Sequence, residues 1–142
     1  MGMYHGREDF LIYDGDYFKA EWYYTREGHM PAYDYYSVPT LGDAVRRRFL
    51  EYVKLYCDTK PGIILPKTIY GIEDKLHKIY ALKPKDERFF NFTTEGSVMI
   101  ITNAYRKHSQ KMTKKDIDVM NTAIRYREDY IQRLKEGVYY ER

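Results

Sequence analysis

The chain has 142 residues, 24 Lys+Arg against 21 Asp+Glu, a formal net charge of +3, 44% hydrophobic residues and one cysteine. That length suits one domain whose core needs no staple, and the single Cys57 excludes an internal disulfide or a cysteine-rich zinc site. No stretch reaches the ~20 apolar residues of a membrane span, and the opening residues carry neither a signal-peptide nor a myristoylation pattern, so a cytoplasmic domain without membrane contact is expected.

Asp14-Gly15 stands between the β-prone runs Phe10–Tyr13 and Tyr17–Tyr24, which predicts a hairpin. Pro31 can open a helix over Met30–Tyr36, and Pro39 limits it to about two turns. A longer helix is expected from Thr40, with Asp43 three residues on in a capping-box-like arrangement. Leu41, Val45, Phe49, Tyr52, Val53 and Tyr56 share one face of it, and Lys60-Pro61-Gly62 ends it. Leu76–Leu82 alternates in part, with Tyr80 on one face and Ile79 and Ala81 on the other. Arg88–Thr93 and Ser97–Tyr105 read as strands joined by a Glu95-Gly96 turn, and the run Val98–Ile101 marks the most buried strand. Thr113 to Asp116 is a capping box, Ile117, Met120, Ile124, Ile131 and Leu134 form a helical stripe, and Gly137 is the terminating glycine. Helices set apart from a three-strand antiparallel meander define an α+β domain.

Two features are unusual. There are 17 tyrosines, and the cluster Tyr23, Tyr24, Tyr33, Tyr35 and Tyr36 exceeds what one small core is expected to bury, which suggests a partner-facing part. Charge is also uneven. Residues 1–60 carry 8 basic and 10 acidic groups, whereas residues 61–142 carry 16 and 11. Within Lys75–Lys115 there are 10 basic groups against 3 acidic ones, a balance that suits a polyanion as well as an ordinary solvated surface.

The segment Tyr105–Lys115 leaves the buried strand and enters the capped helix carrying Arg106, Lys107, His108, Gln110, Lys111, Lys114 and Lys115. A basic loop ending at a helix N-terminus offers cations and unpaired N–H groups to a phosphate. Lys114 and Lys115 oppose the helix macrodipole there, which favours a bound anion over plain solvation. The remaining candidates are bland. His77 reads as a strand-surface histidine, His5 and His29 lack metal spacing, and Asp14-Gly-Asp16 lacks the glutamate of a calcium loop. Ser109 has no nucleophile motif, and Cys57 reads as structural.

The run Tyr105–Ile117 is similar to the F-x-K-K-T-Q-K-T-P-x-x-E-I signature of phage-derived, HigB-like toxins of the RelE superfamily. Ile79–Lys83 resembles that family's L-W/Y-E-L-R strand, Glu87–Phe90 its x-R-x-x-[FY] strand start with Arg88 at the arginine, and Pro31–Tyr36 the opening of its helical hairpin. The resemblance covers Tyr17–Glu136, which divides the chain into an N-terminal extension (residues 1–16) and a toxin-like domain (residues 17–142). It implies a RelE-like fold of N-terminal strand or hairpin, helical hairpin, meander and C-terminal helix. The implied function is the toxin of a type II toxin–antitoxin system, a ribosome-associated mRNA endonuclease neutralised by a helix-turn-helix antitoxin. Assembly as a homodimer or a toxin–antitoxin heterotetramer is the corresponding expectation, with no cofactor.

In such chemistry the RNA 2′-OH attacks the adjacent phosphodiester without a metal, leaving a cyclic phosphate and a free 5′-OH. Lys83, Arg88, Lys107 and Lys111 are the expected phosphate clamp, and His108 is the one member of a type that titrates near neutrality. Tyr80 or Tyr105 could stack on a base or supply a proton, with Arg106, Gln110, Lys114 and Lys115 as further RNA contacts. Lys83 replaces the strand arginine and loses its bidentate geometry. Ala81 stands at the strand glutamate, Thr113 at a common proline, and His108 where Lys or Arg is usual. Two alternatives stay open: a non-catalytic RNA- or protein-binding module on the same fold, and a plain interaction domain using its tyrosines.

Overall fold

The Asp14-Gly15 turn folds Leu11–Asp14 (β1) back onto Lys19–Trp22 (β2) as an antiparallel pair, following the short helix Arg7–Phe10 (α1). The structure is a computed structural model that describes residues 7–140. Residues 1–6, with His5 and the leading part of the N-terminal extension, and residues 141–142 lie outside the described residues. Phe10 is fully buried against Tyr24 and Tyr139, so the residue just before β1 belongs to the core.

Four further strands follow: Tyr70–Asp74 (β3), Ile79–Leu82 (β4), Glu87–Thr93 (β5) and Val98–Arg106 (β6). They form an antiparallel meander, and the six strands make one sheet in the order β1-β2-β6-β5-β4-β3. The domain is thus α+β, with two corrections to the sheet. β2 pairs with β6 in parallel, so the sheet is mixed, and β3 makes the meander four-stranded. Val98–Ile101 is buried as its apolar run requires, because β6 sits between β2 and β5.

Pro31–Ser37 (α2) starts with its proline in the first turn. Asp43–Asp58 (α3) begins three residues later than Thr40 predicts. Pro39–Leu41 is instead a separate 3-10 turn, and Gly42 takes φ 94°, a conformation open to glycine that redirects the chain before α3. The last carbonyls around α2 are satisfied by Arg46, which donates to Tyr36 O at 2.7 Å and Val38 O at 3.0 Å. At its other end α3 closes on the β1–β2 turn. Tyr13 donates to Asp58 at 2.6 Å, and the Tyr17 and Phe18 amides donate to Cys57 O. Gly15 is required there, since a Cβ on it would lie 2.6 Å from Cys57 Cβ.

Lys114–Glu136 (α4) has the expected capping box at Thr113 and Asp116, and Gly137 at φ 76° ends it. Its buried face is rotated from the apolar stripe. Asp116, Ala123, Tyr130 and Arg133 are buried, while Ile117 and Leu134 are 44% and 45% exposed. The rotation is possible because Arg133 is fully paired. Its guanidinium contacts Asp129 at 2.7 Å, donates to Tyr24 O, and lies over the rings of Tyr24 and Tyr139 at 4.8 Å and 4.6 Å.

Helices cover both sheet faces. α2 and α3 pack on one through Trp22, Phe49 and Phe89, with Phe49 and Phe89 centroids 4.2 Å apart. α4 packs on the other through Phe92–Tyr130 and Tyr23–Tyr126. Much of the tyrosine excess fills these layers. Tyr23 and Tyr24 are buried, Tyr35 and Tyr36 are half-buried, and Tyr33 remains 42% exposed.

Candidate functional site

Strand parity decides which basic residues can meet. On β5 the side chains of Phe89, Asn91 and Thr93 face α3, as the Phe49–Phe89 and Tyr56–Thr93 contacts require. Arg88, Phe90 and Phe92 therefore face α4, consistent with the Phe90–Tyr105 and Phe92–Tyr130 contacts. Arg88 pairs with Tyr105 across β5–β6, which places both on the α4 face. Lys83 follows β4 on the face of Ala81, and its Nζ lies 2.9 Å from where a Cβ on Gly71 would stand. With Gly71 in β3 the lysine can lie across the neighbouring strand.

Lys107 completes the cluster from the end of β6. Its amide donates to Asp86 O at 2.9 Å, and its ammonium contacts Asp116 Oδ2 at 3.0 Å. Asp116 lies in the first turn of α4 and also accepts from the Tyr105 hydroxyl at 2.5 Å and the Thr113 amide at 2.8 Å. Burial opposes ionisation of Asp116, but these hydrogen bonds outweigh it and hold the carboxyl well below the ordinary carboxylate range. Burial, then Asp116, pushes the Tyr105 hydroxyl well above its ordinary value, so it serves as a donor and not as a base.

A second carboxylate, Glu73 of β3, belongs to the same cluster. Ile72 pairs with Tyr80 and Asp74 with Ile79, so Glu73 sits at a β-bulge between two ladder pairs. It is half-buried and lies within electrostatic reach of Lys83, Arg88, Lys107 and Asp116. Burial raises its carboxyl above the ordinary glutamate value despite the pull of the three cations.

The structure thus brings together Lys83, Arg88, Tyr105 and Lys107 from the expected set. It sets others apart. Arg106 points to the opposite face, where it contacts Glu87 Oε2 at 3.2 Å, and the Tyr35 hydroxyl donates to the same carboxylate. Tyr80 is also on that face, stacked on Tyr70 with centroids 5.0 Å apart. These two rings line an apolar cavity of about 580 Å³ with Tyr56 and Ile72. His108, Gln110 and Lys111 are exposed on the loop between β6 and α4, where the Lys111 amide donates to the Ser109 hydroxyl at 3.1 Å. Lys114 and Lys115 are exposed on the first turn of α4, with Lys114 paired to Asp118 at 3.1 Å.

Sequence reasoning missed both carboxylates. Asp116 was visible as a cap and not as an anchor for Lys107, although its place beside the basic loop is a usable signal. Glu73 had no signal, because its strand was not foreseen and a bulge leaves no periodic trace.

Three cations, a protonated phenol and a half-buried carboxylate on one side of a sheet can bind a phosphodiester, stabilise added negative charge and move a proton. Compared with known protein families and with curated proteins, the chain matches none.

Proposed function

We propose that the protein is an mRNA endonuclease of the HigB/RelE type, the toxin of a type II toxin–antitoxin pair. The observation that carries this reading is the convergence of Lys83, Arg88, Lys107 and Tyr105 beside the N-terminus of α4. Further support comes from the element order, in which a meander leads through a basic loop into a capped C-terminal helix, and from the Tyr105–Ile117 resemblance. Lys83 and Arg88 bind the scissile phosphate and offset the charge of the pentacoordinate state. Lys107 adds a third cation, and the exposed loop carrying His108, Gln110 and Lys111 meets the neighbouring nucleotides. The 2′-oxygen then displaces the 5′-oxygen, giving a cyclic phosphate. The natural setting is mRNA on the ribosome, in the cytoplasm, with a helix-turn-helix antitoxin as the controlling partner.

Inducing the protein without an antitoxin arrests growth in this reading, and replacing Lys107 and Lys111 together by alanine relieves the arrest. Full toxicity in a folded double variant contradicts the assignment of those residues. A second reading, a non-catalytic RNA-binding module on the same fold, is favoured by one observation. Lys107 and Arg106 are already paired, with Asp116 and Glu87. Salt-sensitive RNA binding without cleavage or toxicity is the outcome that selects it.

A further inference from the structure

Two carboxylates stand among the cations of the site, and they are used differently. Asp116 accepts from Tyr105, Lys107 and Thr113, so its oxygens are committed to holding the loop and the helix start. Glu73 has no such duty. Among the described residues its carboxylate makes no hydrogen bond or ion pair, and Lys83, Arg88, Lys107 and Asp116 act on it only through space.

The backbone explains how Glu73 comes to be there. Glu73 is two residues from Gly71 and so shares the face of Gly71 and Ala81, and the bulge leaves it without a ladder partner. Those two residues oppose each other across β3–β4, and they are the smallest side chains available. Lys83 lies over Gly71, so Glu73 and Lys83 share the room that these two small residues leave.

Resting on the endonuclease reading, we propose that Glu73 is the proton-accepting catalytic residue of this site. Its carboxylate takes the proton of the RNA 2′-OH as the 2′-oxygen bonds to phosphorus. The bond from phosphorus to the 5′-oxygen breaks, and that oxygen takes a proton from the Lys83 ammonium. The proton on Glu73 then returns to the Lys83 amine, so turnover neither gains nor loses protons. Burial that lifts the carboxyl above its ordinary value makes it a stronger base. The groups facing it are Lys83, Arg88 and Lys107 as cations, Asp116 as an anion and Tyr105 as a neutral phenol. On its own strand Asp74 is turned to His77 at 2.7 Å.

The test measures single-turnover cleavage of ribosome-bound mRNA from about pH 5 to 9 for the wild type and Glu73→Gln, with RNA affinity and thermal unfolding alongside. The expected result is a fall of about 10²–10⁴-fold in the rate for Glu73→Gln, with loss of the acid limb of the wild-type pH profile. RNA affinity stays within about threefold, and the melting temperature at pH 7 is unchanged or higher, because a half-buried charge has been removed. A variant that cleaves at the wild-type rate, or keeps the acid limb, overturns this assignment and leaves the endonuclease reading standing. A variant that loses RNA binding and melts lower shows a structural role and overturns it too. No cleavage by the wild type itself removes the endonuclease reading, and the assignment falls with it.

Discussion

Lys107 places its ammonium 3.0 Å from Asp116 Oδ2, joining the end of β6 to the first turn of α4. The same oxygen accepts from the Thr113 amide at 2.8 Å, so both ends of the basic loop are tied to one carboxylate. The segment between them is a short exposed tip carrying His108, Gln110 and Lys111. One acidic side chain thereby fixes the base of the loop while leaving its cations in solvent.

Asp116→Asn removes that anchor. The expected cost is about 2 kcal/mol, from weakened charge-assisted hydrogen bonds and a weaker helix start. Its pH dependence has a definite sign. The folded-state pKa of Asp116 is lowered, so its stabilisation is complete above the ordinary aspartate value of ~3.9 and is lost as pH falls further. Melting curves of wild type and variant should therefore converge as pH drops below ~4 and stay apart near neutrality. A constant gap across that range contradicts the anchor role.

Gly71→Ala tests the path of Lys83. An alanine Cβ would stand 2.9 Å from Lys83 Nζ, and the obstacle is the end of a flexible side chain, so the fold can accommodate it. The expected outcome is a melting temperature within a few degrees of wild type and a marked loss of RNA cleavage. Unchanged cleavage would show that the lysine need not cross β3.

Arg133→Met addresses the opposite end of α4. Arg133 is 4% exposed, with its guanidinium paired to Asp129 and enclosed by Tyr23, Tyr24 and Tyr139. Removing it leaves Tyr24 O without its donor and takes one partner from Asp129, which keeps Tyr23 and Arg26, and should destabilise the protein by about 2 kcal/mol. Chemical denaturation measures this directly, and a loss below about 1 kcal/mol contradicts the structural role.

Much of the architecture was legible. The Asp14-Gly15 hairpin, the Pro31 helix, the Thr113–Asp116 box and the Gly137 stop are local signals, and each formed where its residues stand. What escaped was non-local or compensated. The parallel β2–β6 pairing joins segments far apart in the chain, and no periodicity records it. β3 is five residues with a glycine and a bulge, too short and broken to read as alternation. The α4 stripe misled because buried Asp116 and Arg133 look polar in sequence and become tolerable only through their partners. Strand parity, in contrast, was readable from the start, since Tyr80 and Lys83 are an odd number of residues apart and must face opposite ways.

Cys57 should be inert in the folded protein. Burial, then the charges of Asp58 and Asp14, push its thiol up to about 12. Alkylation at pH 8 is expected to be more than about 10²-fold slower than in denaturant, with a rate that follows unfolding. Fast labelling of the native protein contradicts the packing of α3 on the hairpin turn.

The proposed function requires metal-independent cleavage of RNA through its own 2′-hydroxyl. The most direct measurement is end-group analysis of mRNA cut on the ribosome in the presence of chelator, beside the same message with a single 2′-deoxy substitution at the cut site. A 2′,3′-cyclic phosphate with a free 5′-OH, and no cut at the deoxy position, is the expected result. Cleavage that persists at the deoxy position, or 5′-phosphate ends, would contradict the account.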